Sequence, residues 1–135
     1  MDEYLVPTSS FIRLYEEYKK YGSLTIAYDF DNTIYDFHGK GHSYMKVIEL
    51  LKQLKEIGCI CICFTASEDE KKIREYCQFW NIPLDKLNEN PDFFKSNSKK
   101  IYFNALLDDR AGLLQVYTEL SLLVQLIKKE NLLKV

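Results

Sequence analysis

A parallel, three-layer α/β domain is the fold class that this sequence predicts, and two observations carry the prediction. Short apolar runs recur at Leu24–Ala27, Cys59–Phe64 and Ile101–Leu107, each too short for a helix and each suited to a buried strand. Around them lie longer segments whose apolar residues return every three or four positions, the spacing of an amphipathic helix. Strands that alternate with helices favour a parallel sheet with helices on its faces. No internal repeat and no second domain is visible, so residues 1–135 read as one domain, with an N-terminal helix in 1–22 and a core in 23–130.

Each element has its own signal. Thr8, Ser9 and Ser10 offer N-caps for a helix through Tyr21, whose Phe11, Leu14, Tyr15 and Tyr18 form one apolar stripe, and Gly22 stops it. The first strand follows, and then Ile34 to Gly41, with Gly39, Gly41 and His38, reads as a short loop or hairpin. A helix from about Ser43 to Ile57 places Val47, Ile48, Leu51 and Leu54 inward, with Gly58 as its stop. After the second strand, Glu68, Asp69 and Glu70 put negative charge into the first turn of a helix that runs to about Trp80, with Ile73, Tyr76, Cys77 and Trp80 inward. Asn81, Ile82 and Pro83 end it, and Leu84 to Ser98 reads as loop with a short strand near Leu84 to Leu87. The last helix, Ala111 to about Glu130, is apolar at Leu113, Val116, Leu120, Leu123 and Ile127 and also at Leu114, Leu122 and Leu126, wider than one sheet face needs.

Composition narrows the function classes. The chain has 135 residues, 47% hydrophobic and 28% charged, enough for one globular core. Its 20 acidic and 18 basic residues nearly cancel and the basic ones are scattered, so charge does not indicate nucleic acid as a partner. No apolar stretch approaches the roughly 20 residues that span a bilayer, and the acidic, proline-containing start lacks the basic and apolar regions of a signal peptide, which makes a cytoplasmic location the expectation. Cys59, Cys61 and Cys63 alternate along one strand and therefore share a face; they read as small core residues in a reducing compartment, too splayed to chelate one ion.

The chemistry concentrates at the strand ends. Asp29 and Asp31, in Tyr28-Asp29-Phe30-Asp31-Asn32-Thr33, follow the first strand at the edge where open α/β sheets bind ligands. Two such carboxylates can face one cavity, one as nucleophile or metal ligand and the other as proton donor. The second strand ends in Thr65-Ala66-Ser67, and the third ends in Asp108-Asp109 with Lys99-Lys100 just before it. Taken one by one these residues are ordinary caps, turn formers and solvated charges.

In this order, however, strand-DxD, strand-Thr, Lys and strand-DD resemble the haloacid dehalogenase (HAD) superfamily of aspartate-nucleophile phosphohydrolases, over roughly residues 23 to 128. The resemblance implies a Rossmann-like core and a phosphatase that hydrolyses a phosphomonoester through an aspartyl-phosphate. By it, Asp29 is the nucleophile and Asp31 the general acid and base. Thr65 binds the phosphoryl group, and Lys100, with Lys99 and then Lys95 as alternatives, neutralises charge. Mg²⁺ is the implied cofactor, held by Asp29, Asp108 and the backbone carbonyl of Asp31, with Asp109 a further candidate. An acid at Asp31 favours phosphatase over dehalogenase. Asn32 stands where many members have glycine, and it tolerates the same turn geometry. His38 and His42 lie in the following loop and read first as solvated or loop-packing residues.

Substrate selection in that superfamily usually comes from inserted cap domains. Only about a dozen residues separate Asp31 from the next helix, and Leu84–Ser98 is too short for a folded insert, so the chain reads as capless. An open site admits a large phosphorylated macromolecule as readily as a small molecule. A binding or regulatory protein that keeps the fold without turnover is the competing expectation. The wide apolar surface of the last helix adds one more: Leu114, Leu122 and Leu126 need cover from the N-terminal helix or from a second copy in a homodimer.

Overall fold

The structure, a computed structural model, describes residues 2–134. Four strands form one parallel sheet in the order β3-β2-β1-β4. They are β1 (Thr25–Tyr28), β2 (Ile60–Cys63), β3 (Lys86–Leu87) and β4 (Ala105–Leu107). Four α-helices accompany them: α1 (Ser9–Tyr21), α2 (Met45–Glu56), α3 (Glu70–Trp80) and α4 (Leu113–Leu133). No helix among the described residues is long and apolar enough to cross a membrane.

Register explains which side chains meet. Ile26 pairs with Cys61 and Ala105, and Tyr28 with Cys63 and Leu107, so these residues share one face of the pleat. All of them belong to a single buried cluster with Leu14 of α1, Leu51 and Leu54 of α2, Ile73 and Cys77 of α3, and Leu123 and Ile127 of α4. Every helix therefore buries its stripe on the same side of the sheet. Cys59, Cys61 and Cys63 are free and buried there, as their alternation implies.

The expected three layers are realised with helices in only one of them. Ala27 and Ile62, on the opposite face, are fully buried yet stand outside the main cluster. Their cover is the chain between β3 and β4, which must pass over β2 and β1 to join the two edges. It carries no helix, and its Phe103 ring packs on Phe64.

Boundaries moved for local reasons. Gly22 takes a left-handed conformation and closes α1, its N–H donating to the Tyr18 carbonyl at 2.6 Å. Asp69 caps α3 by accepting from the Lys72 N–H at 3.1 Å. The strand expected over Ile101–Leu107 is regular only from Ala105. Before that point the Asn104 side chain takes over from the ladder, Oδ1 accepting the Thr25 N–H at 2.7 Å. The last helix runs three residues past Glu130, to Leu133. The N-terminal helix does cover part of α4, through Leu14, through a hydrogen bond from Ser10 to Glu119, and through Tyr15 and Lys19 on Glu130. Leu126 is half-buried, whereas Leu114 and Leu122 remain 78% and 49% exposed.

Candidate active site

The carboxyl ends of β1, β2 and β4 open into a cleft of about 650 Å³. Parallel strands bring their last residues to one edge, so residues far apart in sequence converge there. Asp29 and Asp31 come from the end of β1, Thr65 and Ser67 from the end of β2, and Asp108 and Asp109 from the end of β4. The chain holds them in register: the Asp29 N–H donates to the Leu107 carbonyl at 2.9 Å, and the Phe64 N–H donates to the Tyr28 carbonyl at 2.8 Å.

The turn after β1 is wound tightly. The Phe30 carbonyl accepts from the N–H groups of Ile34 and Tyr35, both at 3.1 Å, and Asn32 adopts φ 61°, the left-handed conformation expected of a residue in the place of glycine. Phe30 and Ile34 plunge into the core, which leaves Asp31 facing the cleft. Thr33 is buried beneath it and accepts the Asp109 N–H at 3.1 Å, tying the β1 turn to the β4 turn.

Asp29, Asp108 and Asp109 can each bring a carboxylate oxygen within 4.8 Å of the others. Burial raises the Asp29 carboxyl above its ordinary range, and the charges of Asp108 and Asp109 add to the rise, while hydrogen bonds from the Phe30 N–H and the Thr65 side chain oppose it. Three hard oxygen donors under mutual repulsion suit a small divalent cation such as Mg²⁺. The Asp31 carboxylate stands outside this trio, and Asp109, the further candidate in the sequence, is its third member.

Lys100 is not brought in. It lies exposed on the irregular chain over the sheet face, beside Phe94, Ser96 and Phe103, and neither Lys99 nor Lys95 reaches the cleft. The cation that does line it is Arg110, directly after the aspartate pair. His38 is exposed and packs on Phe37 of its own loop, as read, and it also lines the cleft, whereas His42 does not. Phe37 and Phe64 complete the wall. Sequence reasoning missed Arg110 and the two phenylalanines as site residues, although adjacency to Asp108-Asp109 and to Thr65 was a usable signal for Arg110 and Phe64. Thr65 lines the cleft, but its N–H is taken up by Asn88 Oδ1 at 2.8 Å, which leaves the hydroxyl, whose Oγ1 accepts the Ser67 N–H at 3.2 Å, as its group toward a ligand.

No segment caps the cleft within the described residues: the β1–α2 connection is a short loop, and the β3–β4 connection has no folded insert. The chain matches no family model and no curated protein. A similar solved structure is the conserved protein coded by locus from Bacteroides thetaiotaomicron, with a TM-score of 0.60 and 24% identity, covering 80% of this chain and 92% of that one. At that identity the likeness is one of fold, an α/β domain on a four-stranded parallel sheet.

Proposed function

We propose that this chain is a capless phosphatase of the haloacid dehalogenase type, hydrolysing a phosphomonoester through a phosphoaspartate on Asp29. The observation that carries the reading is the convergence of Asp29, Asp31, Thr65, Asp108 and Asp109 on one cleft at the ends of three parallel strands. A carboxylate is already ionised at neutral pH and can attack phosphorus without a base. The bond from phosphorus to the leaving alcohol breaks as the bond to Asp29 forms, and Asp31 supplies the proton that the departing oxygen needs. Asp31 then takes a proton from the water that attacks the phosphoaspartate, releasing inorganic phosphate and restoring Asp29.

Asp29, Asp108 and Asp109, with the backbone carbonyl of Asp31, would hold Mg²⁺. Bound there, the ion offsets the repulsion between the attacking carboxylate and the phosphate. Thr65 holds a phosphoryl oxygen at the turn leading to α3. In this reading Arg110, which lines the cleft, neutralises negative charge in the role that the resemblance gives to Lys100.

The position of Lys100 outside the cleft favours a second reading, in which the chain binds a phosphorylated ligand without significant turnover. Phosphate release from a broad panel of phosphomonoesters, small and macromolecular, with and without Mg²⁺, separates the two. Magnesium-dependent release that Arg110→Ala strongly reduces and Lys100→Ala spares supports the phosphatase. Silence on every substrate supports the binding protein.

A further inference from the structure

One wall of the cleft is aromatic. Phe37 and His38 come from the loop after β1 and Phe64 from the end of β2, and all three line the same space as the carboxylates. The Phe37 ring is 56% exposed and meets the His38 ring edge to face at 5.1 Å. A single exposed phenylalanine is unremarkable. Two from separate elements beside a charged floor are a different matter, because selective pockets combine apolar walls with a few placed polar groups.

The loop that presents Phe37 has a defined shape. Asp36 ties it at both ends, its carbonyl accepting the Gly39 N–H at 3.1 Å and its Oδ2 the Gly41 N–H at 2.7 Å. Gly39 and Gly41 supply the positive φ angles, 62° and 83°, that let the chain turn back so sharply. At its base Tyr35 is stacked on Phe30 at 5.0 Å and Tyr76 meets it edge-on at 5.2 Å. A loop held this way loses little backbone freedom when a ligand packs on the ring it presents.

We propose that Phe37 and Phe64 form the subsite for the group attached to phosphorus, and that this group carries a flat aromatic ring. The inference rests on the phosphatase reading of the same cleft. An acyclic group such as glycerol has no flat face to lay on these rings, whereas an aromatic ring gains both burial and stacking against them. The same chemistry could come from an aryl phosphate, with the ring next to the phosphate, or from a nucleotide, with the base one ribose away.

Phosphonates test this without depending on turnover or on leaving-group quality. Binding of methylphosphonate, phenylphosphonate and the phosphonate analogue of adenosine monophosphate is measured by calorimetry on the full chain with Mg²⁺. At least one aromatic phosphonate is expected to bind about five- to tenfold more tightly than methylphosphonate, and the tighter of the two identifies the source. Phe37→Leu should erase most of that preference, Phe37→Tyr should keep it, and methylphosphonate should bind all three proteins alike. Equal affinities in the unaltered protein, or a preference that survives both Phe37→Leu and Phe64→Leu, overturn the subsite. A preference in a protein that releases no phosphate upholds the subsite and removes the phosphatase reading. Failure of every phosphonate to bind overturns both.

Discussion

On one face of the sheet Ile26, Tyr28, Cys61, Cys63 and Leu107 meet four helices, while on the other Ala27 and Ile62 lie under irregular chain alone. Both faces are dry at their centre, yet they are kept dry by different means. Helices satisfy their own backbone and need only an apolar stripe. Irregular chain over a buried face must find partners for its own backbone groups, and for those at the frayed ends of the strands, one at a time. Three asparagines do so here: Asn88 accepts the Thr65 N–H, Asn90 the Tyr102 N–H and Asn104 the Thr25 N–H, at 2.8, 2.8 and 2.7 Å. Asp85 does the same for the Cys61 N–H at 2.7 Å while its other oxygen holds Lys55.

The largest expected effect lies where the two faces meet, at the carboxyl edge. On the proposed phosphatase reading, Asp29→Asn keeps the side-chain shape but gives a far poorer nucleophile, so phosphate release should fall by about a thousandfold or more. The same change should raise the melting temperature in chelator. Burial and the neighbouring Asp108 and Asp109 charges disfavour the ionised Asp29, and a carboxyl whose folded pKa is raised adds stability only below the unfolded value and loses it as pH rises through the folded one. At neutral pH that stability is gone, and the neutral amide restores it. A lower melting temperature for the variant would show that Asp29 is held by favourable contacts instead of strained by its neighbours.

The next effect compares the faces directly. Ile26→Ala empties a site enclosed by helices and should cost about 2–5 kcal/mol, read from urea midpoints. Ile62→Ala opens a cavity beneath irregular chain that can settle into it, so its cost should fall near the lower end of that range, about 2 kcal/mol. Equal costs would mean that the irregular layer is as rigid as the helical one.

Much of the helical face was legible in the sequence, because period 3.6 and glycine stops are local signals: Gly22 ends α1, and Ile73 and Cys77 of α3 are buried, as read. Trp80, read as inward, is instead 39% exposed, and Asp69, read as part of the first turn of α3, is its N-cap. The alternation of Cys59, Cys61 and Cys63 put them on one shared face as core residues, and that face is the helical one. The other face was not legible. Asn88, Asn90 and Asn104 mark loop, but which backbone groups they serve depends on strand order, and no local pattern encodes that. The same blindness explains Lys100. Its distance from Asp108 along the chain suggests a place in the cleft, yet the segment that carries it spends its length crossing the sheet. Of the site, the carboxylates and Thr65 were readable because each ends a strand. Phe37 was not, because its position is fixed by the loop that Asp36 closes.

Asn104→Ala tests whether those side chains hold the irregular layer. Thr25 is buried, so its N–H would lose its partner, and Glu17 would lose the Asn104 amide that now donates to it at 2.9 Å. A cost of about 1–3 kcal/mol is expected for the buried orphan. Hydrogen exchange at the β1 and β4 amides should quicken more than exchange in α2 and α3. No change in exchange near Asn104 would show that the ladder from Ala105 onward suffices alone.

The smallest effect at neutral pH, and the one that grows with alkali, belongs to the thiols of the helical face. Burial pushes the Cys59 thiol up to about 11 from an ordinary 9.0, and it raises Cys61, Cys63 and Cys77 as well. Because the folded pKa values are raised, the stability they contribute is complete below about pH 9 and is lost as pH climbs past it, when the unfolded chain sheds protons that the folded one keeps. Near neutrality a thiol reagent should therefore label none of the four in the native protein and all of them in urea. Between pH 9 and 11 the urea midpoint should fall, and replacing Cys59 by alanine should flatten that fall even though it creates a small cavity. Labelling of Cys61 or Cys63 in the native state at neutral pH would mean that the sheet opens on its helical side, and the contrast between a sealed helical face and a thinly covered opposite face would then be the wrong way round.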